Sequence, residues 1–599
     1  MVPARADEVE RADPTRGKRR PLKAFLVFLA YLAGAIVSTI GAWSDPRSGW
    51  AGGCCDQQQT IWFLGWTPHA LANGLNPFFT TQIAAPDGVN LMWNTPMILL
   101  GLLGWLPAKV GGPIFAFNVL MIVGIALSGL TAWVAIRRWT GDGVAPAVGG
   151  AVYAFSPYVA SHAAMHLNLA TAWVPPLLLC VIDDLLVTRR RPPWQAGVAL
   201  GVLATAQLLI TEEVLATSVV ASVVLVCVMA LVRRDGKVRA RWSAGAARLV
   251  PALAVATITF LVLAAGPLFA QFFGPQRISG QVQHPETFST DLLNVILPTP
   301  YQLIAPGAAT KVSREFSGLY HEATAYLGLP LLVLLVVAAV RLWDDLRARI
   351  ASVTGALLLL LSLGPWLHIG KEKLPVPLPW LPIGKLPLLH HVLPGRFTLY
   401  VWLSVAVIVA IVIKRATRLA PGPAARWLLA VAAAIVFILP APLGRQPFYT
   451  PDFFRNWASQ HIGPDETVLV APYFTNGMQA APMVWAAEAD YGLRMPEAYA
   501  YVPLSDGRTS SGPPPTRLFK VMRLIQEDKT SFVARGEVRA QIIANLRFAQ
   551  VRHVIVGPME GVSEMLAFFT DLFGRPPERV EGIAIWRDVN VRGVVAAPD

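Results

Sequence analysis

The chain has 599 residues, of which 54% are apolar and 15% charged, and a formal net charge of +13. Soluble domains carry roughly 25% charged residues, so this much apolar side chain needs lipid as its solvent, and a purely soluble enzyme, a disordered chain and a collagen-like fibre are excluded. Four cysteines cannot staple a chain of this length, which excludes a small disulfide-framed secreted module.

From the amino end, a basic tail (1–23) with Arg5, Arg11, Arg16, Lys18, Arg19, Arg20 and Lys23 precedes an apolar run over 24–43. The run is about 20 residues, enough to cross a bilayer. It exceeds the roughly 7–15-residue core of a signal peptide and ends without a small-x-small cleavage site, so it reads as a signal anchor. Further spans are predicted over 113–136, 144–160, 168–187, 194–210, 214–232, 247–270, 325–343, 350–368, 397–413 and 427–443, making eleven. The short, proline-bounded segment 96–106 reads as a helix at the outer surface.

Sidedness tests this count, because Lys and Arg accumulate in short cytoplasmic loops. With the amino terminus inside, the inner segments hold 25 Lys and Arg and the outer segments before residue 445 hold 9. Counting 96–106 as a full span would put Arg189, Arg190 and Arg191 outside. The positive charge is therefore topology rather than a nucleic-acid footprint, and no nucleic-acid partner is expected.

The eleven-span membrane domain (24–444) leaves 445–599 outside, where 16 Lys and Arg meet 17 Asp and Glu. Residues 468–470, 551–556 and 583–586 read as strands. Val538, Ile542 and Leu546 recur at helical spacing, as do Leu518, Val521, Met522 and Ile525. The fold class expected is thus a polytopic α-helical membrane protein with a small carboxyl-terminal α/β domain. That domain shows neither a phosphate-binding glycine loop nor a metal-ligand cluster, so no chemistry is assigned to it.

All eight histidines before residue 445 fall on the outer side, which places the titratable chemistry there. The first outer loop (44–112) has Asp56 at the start of a helix over 57–72, expected to lie on the bilayer with Trp62, Trp66 and Trp93 as interface anchors. The helix's free N–H groups are expected to hold the carboxylate ionised. The second outer turn (161–167) carries His162 and His166, one helical turn apart, a spacing that also suits a metal pair; without a third ligand or a His-Glu-x-x-His pattern no metal is assigned. Glu212 and Glu213 (loop 211–213) sit at a membrane edge, where unpaired carboxylates are costly. A long loop (271–324) contributes Arg277, His321 and Glu322. Another (370–396) ends in Arg396, suited either to bidentate phosphate binding or to snorkelling. Cys54 and Cys55 face an oxidising side, but neighbouring cysteines form only a strained bridge; Cys180 and Cys227 fall inside spans as core residues. Neither pair suggests redox chemistry.

This pattern of signal anchor, long first outer loop with an early Asp, short second loop and about eleven spans resembles the GT-C superfamily of integral membrane glycosyltransferases. The stretches HEATAYLGLPLL (321–332) and LPGRFTLYVWL (393–403) are also similar to bacterial YfhO-like members. The resemblance implies a multi-pass protein of the plasma membrane, amino terminus inside and carboxyl-terminal domain outside. It implies a polyprenyl-phosphate-linked sugar donor, a glycan, lipid or protein acceptor, inverting transfer, and Asp56 as catalytic acid. The family often has paired acids in the first loop, where this chain has Gln57, Gln58 and Gln59, and an acid in the second, where it has His162 and His166; both departures count against a divalent metal, so no cofactor is assigned. On physical grounds Asp56 serves as base, Arg277, Arg396 and His166 face the phosphate, and Glu212, Glu213, His321 and Glu322 orient sugar hydroxyls. A lipid or polysaccharide flippase is the alternative. It calls for inverted repeats or midplane charges, and neither is evident.

Overall fold

The computed structural model describes residues 14–53, 55–232, 247–318, 320–474, 480–506 and 508–589, with the side chains of 14–20 left aside. Most of the amino-terminal tail, the basic loop beginning at Arg233 and Cys54 therefore lie outside the described residues.

Among these residues six helices are long and apolar enough to cross a membrane, and a seventh is formed if Leu249–Leu263 and Ala265–Phe273, bent by 71°, make one span. The protein is thus a multi-pass, mostly helical membrane protein. Each predicted span overlaps a helix or a broken pair, although the one over 350–368 runs past its helix into a short strand at Trp366–Ile369. The shorter ones include α5 (Val144–Ala154), interrupted before Pro157, and α13 (Leu346–Ser362). One difference concerns Cys227, which is exposed on the outside of its span rather than in the core.

The basic loops gather at one end of the helices, where Arg138 makes a bidentate pair with Asp184, Arg347 donates to the Trp139 carbonyl, and Arg415 pairs with Asp345. At the other end the chain closes on itself. Strand β1 (Gly49–Ala51), just after the first span, pairs antiparallel with β2 (Arg445–Pro447), just after the last.

Helix α2 (Asp56–Ala72) begins where predicted but does not lie on a bilayer. It packs between α3 (Ile98–Gly111) and α16 (Ala481–Glu488), with Trp62 and Trp66 buried and stacked at 5.2 Å. The carboxyl-terminal part covers the face that was expected to meet lipid, so these tryptophans are core rather than interface anchors. Gly65 makes that contact possible. A Cβ there would stand 1.9 Å from the Tyr491 hydroxyl, which donates to the Trp62 carbonyl. The exposed apolar face belongs instead to α3, with Leu102, Leu103, Trp105 and Leu106.

Beyond residue 445 a four-stranded sheet runs in the order β5 (Glu578–Val580), β6 (Ile583–Trp586), β4 (Val551–Val556), β3 (Thr467–Ala471), with β4 and β3 parallel and the other pairs antiparallel. The Val-rich β3 and β4 are buried along almost their whole length, as expected of parallel strands covered on both faces. One face packs on α17 (Arg517–Asp528), α18 (Gly536–Phe548) and α19 (Val562–Phe573). Val468, Val470 and Ile555 instead belong to the large core that also contains Trp62 and Phe117. Residue 445 therefore marks a change of composition but not a break in the hydrophobic core.

Candidate active site

Asp56 opens α2, preceded by Cys55 at φ 92°, a backbone conformation that costs about 1–3 kcal/mol in a residue with a Cβ. Its carboxylate is not held by the helix N–H groups, contrary to the sequence expectation. Instead Oδ2 meets His166 Nε2 at 2.9 Å and Oδ1 accepts the Tyr499 hydroxyl at 2.7 Å. The two side chains retain 24% and 21% exposure, so a substrate can reach the pair.

From His166 the network continues inward. His166 Nδ1 lies 3.2 Å from His162 Nδ1 and 3.8 Å from Glu322 Oε1. Both oxygens of Glu322 receive the guanidinium of Arg396, whose Nε donates to Glu213 at 3.1 Å and whose Nη1 stands 3.5 Å from His162 Nε2. Glu322 and Arg396 come from the two quoted sequence stretches, and those stretches are bonded to each other. The Thr324 and Thr398 hydroxyls meet at 2.7 Å, and the Trp402 indole donates to the Thr324 carbonyl.

Charge follows from this geometry. Burial raises the Asp56 pKa, but the His166 and Tyr499 hydrogen bonds outweigh it and hold the carboxyl below its ordinary range. Burial disfavours the charged His166 imidazole, yet the Asp56 hydrogen bond and the Glu322 charge raise its pKa overall. The two form an ion pair. His162, fully buried between Tyr158 and His166, is pushed well below the ordinary histidine range and stays neutral. Burial opposes the Glu322 charge, but Arg396 and the two histidines bring its pKa down to about 2.

The three glutamines that replace further acids are ties. Gln57 donates to the Ala164 carbonyl, Gln58 accepts the Ala480 N–H at 2.7 Å, and Gln59 donates to the Tyr499 carbonyl at 2.6 Å. They fix the 161–167 turn and the carboxyl-terminal strap around Asp56. Within that strap Asn94 bonds both backbone groups of Tyr501, and Gln283 donates to the Tyr501 hydroxyl.

The sequence matches the family model described as "Domain of unknown function (DUF6311)" over residues 26–439. The chain belongs to that family. No curated protein matches it. Among solved structures it is similar to the archaeal oligosaccharyltransferase AglB from Archaeoglobus fulgidus, solved with an inhibitory peptide and a dolichol-phosphate, at 11% identity and a TM-score of 0.50, covering 93% of this chain and 71% of that one. ArnT from Cupriavidus metallidurans is also similar, at 10% identity and a TM-score of 0.42 over 98% and 100% of the two chains. So is the arabinofuranosyltransferase AftD from Mycobacteria, at 15% and 0.47 over 89% and 36%. The likeness to AglB, at a TM-score of 0.50, shows a shared fold.

Of the residues singled out in the sequence, the structure brings Asp56, His162, His166, Glu213, Glu322 and Arg396 into one network. His321 stands at its edge, bonded to the Tyr301 hydroxyl. Glu212 adjoins Glu213, and Oε1 of each is buried without a partner among the described residues. Arg277 is exposed and, among the described residues, forms no bond with the network. Arg396 differs from expectation. It does not snorkel, and a phosphate would have to displace a carboxylate to reach it. Sequence reasoning missed Tyr499, in the part given no chemistry, and gave no role to Arg314, one of the charged residues of the 271–324 loop, which lies over the Tyr320 ring at 5.2 Å and has no carboxylate partner among the described residues.

His162, His166 and Glu322 offer ligand atoms within 4.8 Å of one another. Those atoms are already committed, with both Glu322 oxygens on Arg396 and the protonated His166 on Asp56. A divalent cation would have to evict a guanidinium and a proton, so the resting donor set does not fit one.

Proposed function

We propose that the chain is a membrane glycosyltransferase moving a sugar from a polyprenyl-phosphate donor to a cell-envelope acceptor at the outer face of the plasma membrane, with inversion. The observation that carries this reading is the Asp56 carboxylate, kept ionised by His166 and Tyr499 where five outer loops and the carboxyl-terminal strap converge, opposite the basic loops. In topology, the six long spans are joined by five shorter or broken ones, giving eleven, with 1–23 inside and 445–599 outside.

In the transfer step the acceptor oxygen forms a bond to the anomeric carbon while the bond from that carbon to the phosphate oxygen breaks, its electron pair leaving with the phosphate. The acceptor proton passes to Asp56. A hydroxyl becomes acidic only as its oxygen bonds to carbon, so a permanently ionised carboxylate accepts the proton late in the step. Protonated His166 and the unpaired Arg314 offer positive charge to the departing phosphate, with Arg277 a further candidate only if its loop moves. Arg396 instead sets the positions of Glu213 and Glu322. The partnerless Oε1 atoms of Glu212 and Glu213 suit sugar hydroxyls, with His321 at the rim. A flippase reading gains nothing from the acidic pair Asp183 and Asp184, since Arg138 binds both at the inner end.

Purified protein in lipid nanodiscs, given a panel of polyprenyl-phosphate sugars with glycan, lipid and peptide acceptors, should yield glycosylated product by mass spectrometry. Absence of product across the panel, or equal product from Asp56→Asn, overturns the reading.

A further inference from the structure

A cavity of about 470 Å³ lies in the carboxyl-terminal part, between the end of β3, the 510–515 loop and α17. Its size is that of a small-ligand site. Three aromatic rings form its inner wall. Tyr473 and Phe519 meet edge to face at 4.9 Å, and Phe474 stacks on Tyr499 at 4.8 Å with 17° between the planes. The far side of that stack is the active site, because the same Tyr499 hydroxyl donates to Asp56. Two aromatic rings therefore separate the cavity from the carboxylate.

The cavity's chemistry selects its occupant. Lys520 and Arg523 on α17 are balanced by Glu527 and Asp528 on the same helix, and Arg523 pairs with Glu527 at 2.8 Å. With no surplus charge, neither a phosphate nor a polyanion is favoured. Ser510 and Ser511 add uncharged hydroxyl side chains to the lining. Donors and acceptors of both kinds around aromatic faces suit a neutral polyhydroxylated ligand, whose C–H faces pack on rings while its hydroxyls bond the rim.

We propose that this cavity is a subsite for a neutral oligosaccharide acceptor, holding the sugar units behind the reactive end while that end passes the Phe474–Tyr499 stack to Asp56. The proposal rests on the glycosyl-transfer reading and narrows its acceptor from glycan, lipid or protein to glycan. A subsite set back from the reacting carboxylate makes affinity grow with acceptor length.

The test is direct binding, independent of turnover. Full-length protein in nanodiscs is titrated calorimetrically with neutral arabinan, galactan and mannan oligosaccharides and with a polyuronate control. At least one neutral series should bind wild type and Asp56→Asn alike. Phe519→Ala and the cavity-filling Ser511→Trp, each checked for unchanged melting temperature, should weaken that binding about tenfold or more. Lys520→Ala, an exposed rim change that leaves the fold intact, gives a second reading should either of those variants misfold, and should also weaken binding. No neutral oligosaccharide bound, binding indifferent to all three variants, or binding of the polyuronate alone overturns the subsite. Oligosaccharide bound and lost as expected, with no transfer from any donor, upholds a glycan site and overturns the transfer reading instead.

Discussion

The Tyr499 hydroxyl reaches Oδ1 of Asp56 at 2.7 Å across 443 positions of the chain. The carboxyl-terminal part thereby supplies a side chain to the site built by the loops at this end of the helices. Tyr499 acts through Asp56 as a positioning residue, and the bond it donates helps keep the carboxylate charged.

Removing that bond with Tyr499→Phe should raise the Asp56 pKa, since the hydrogen bond favours the charged form. The acid limb of the pH profile for kcat/KM should move to higher pH, with little change in melting temperature. A limb that stays in place would show that Tyr499 does not act on Asp56.

Asp56→Asn preserves shape and removes the proposed base. Turnover should fall roughly 10²–10⁴-fold while the protein remains in the membrane at wild-type level by immunoblot. His166→Ala should also lower turnover, by removing the charge proposed to face the phosphate.

Arg396 lies between two carboxylates and is itself almost fully buried. Its loss strands Glu213 and Glu322, and breaking a buried pair this way costs about 3–5 kcal/mol. Arg396→Ala should lower the melting temperature strongly, and Arg396→Ala combined with Glu322→Gln should recover part of the loss. A melting temperature unmoved by Arg396→Ala would contradict the clamp.

Because the ligand atoms of His162, His166 and Glu322 are already engaged, a chelator should leave transfer unchanged, measured with EDTA against a magnesium-supplemented control. Activity abolished by EDTA and restored by a divalent ion would show that the network rearranges around a metal.

Glu497, two residues from Tyr499, accepts the Val470 N–H through Oε1 and leaves Oε2 buried without a partner among the described residues. Burial raises its pKa from 4.5 to about 8. Between those values the unfolded chain loses this proton while the folded chain keeps it, so stability falls as pH rises from about 5 to 8 and levels off above. Glu497→Gln lacks this dependence. Its melting temperature relative to wild type should climb across that range, and a constant difference would refute the assignment.

Much of the site was legible because its residues sit at the helix ends opposite the basic loops, and Lys and Arg content marks those loops in the sequence. Asp56, His162, His166, Glu213, Glu322 and Arg396 were all named on that ground. Tyr499 was hidden because it lies in a short strap between Pro496 and Pro503, with no hydrophobic period, and pairs with a residue far away in sequence. A signal was present in Tyr499 and Tyr501, whose alternate spacing places both on one side of an extended segment. The fate of α2 was misread for the same reason. Its apolar faces look like a lipid contact until the covering residues around Tyr491 are known. Arg277 and Arg396 show the converse limit, since arginine content alone does not say which guanidinium is already spent on internal carboxylates.

The pairing of β1 with β2 has a consequence for how the protein is made. The strand beside the first membrane crossing finds its partner only after the last crossing has been synthesised, and the strap bearing Tyr499 emerges later still. A nascent or truncated chain therefore holds Asp56 without its surroundings, and the site comes into being only when synthesis is nearly finished.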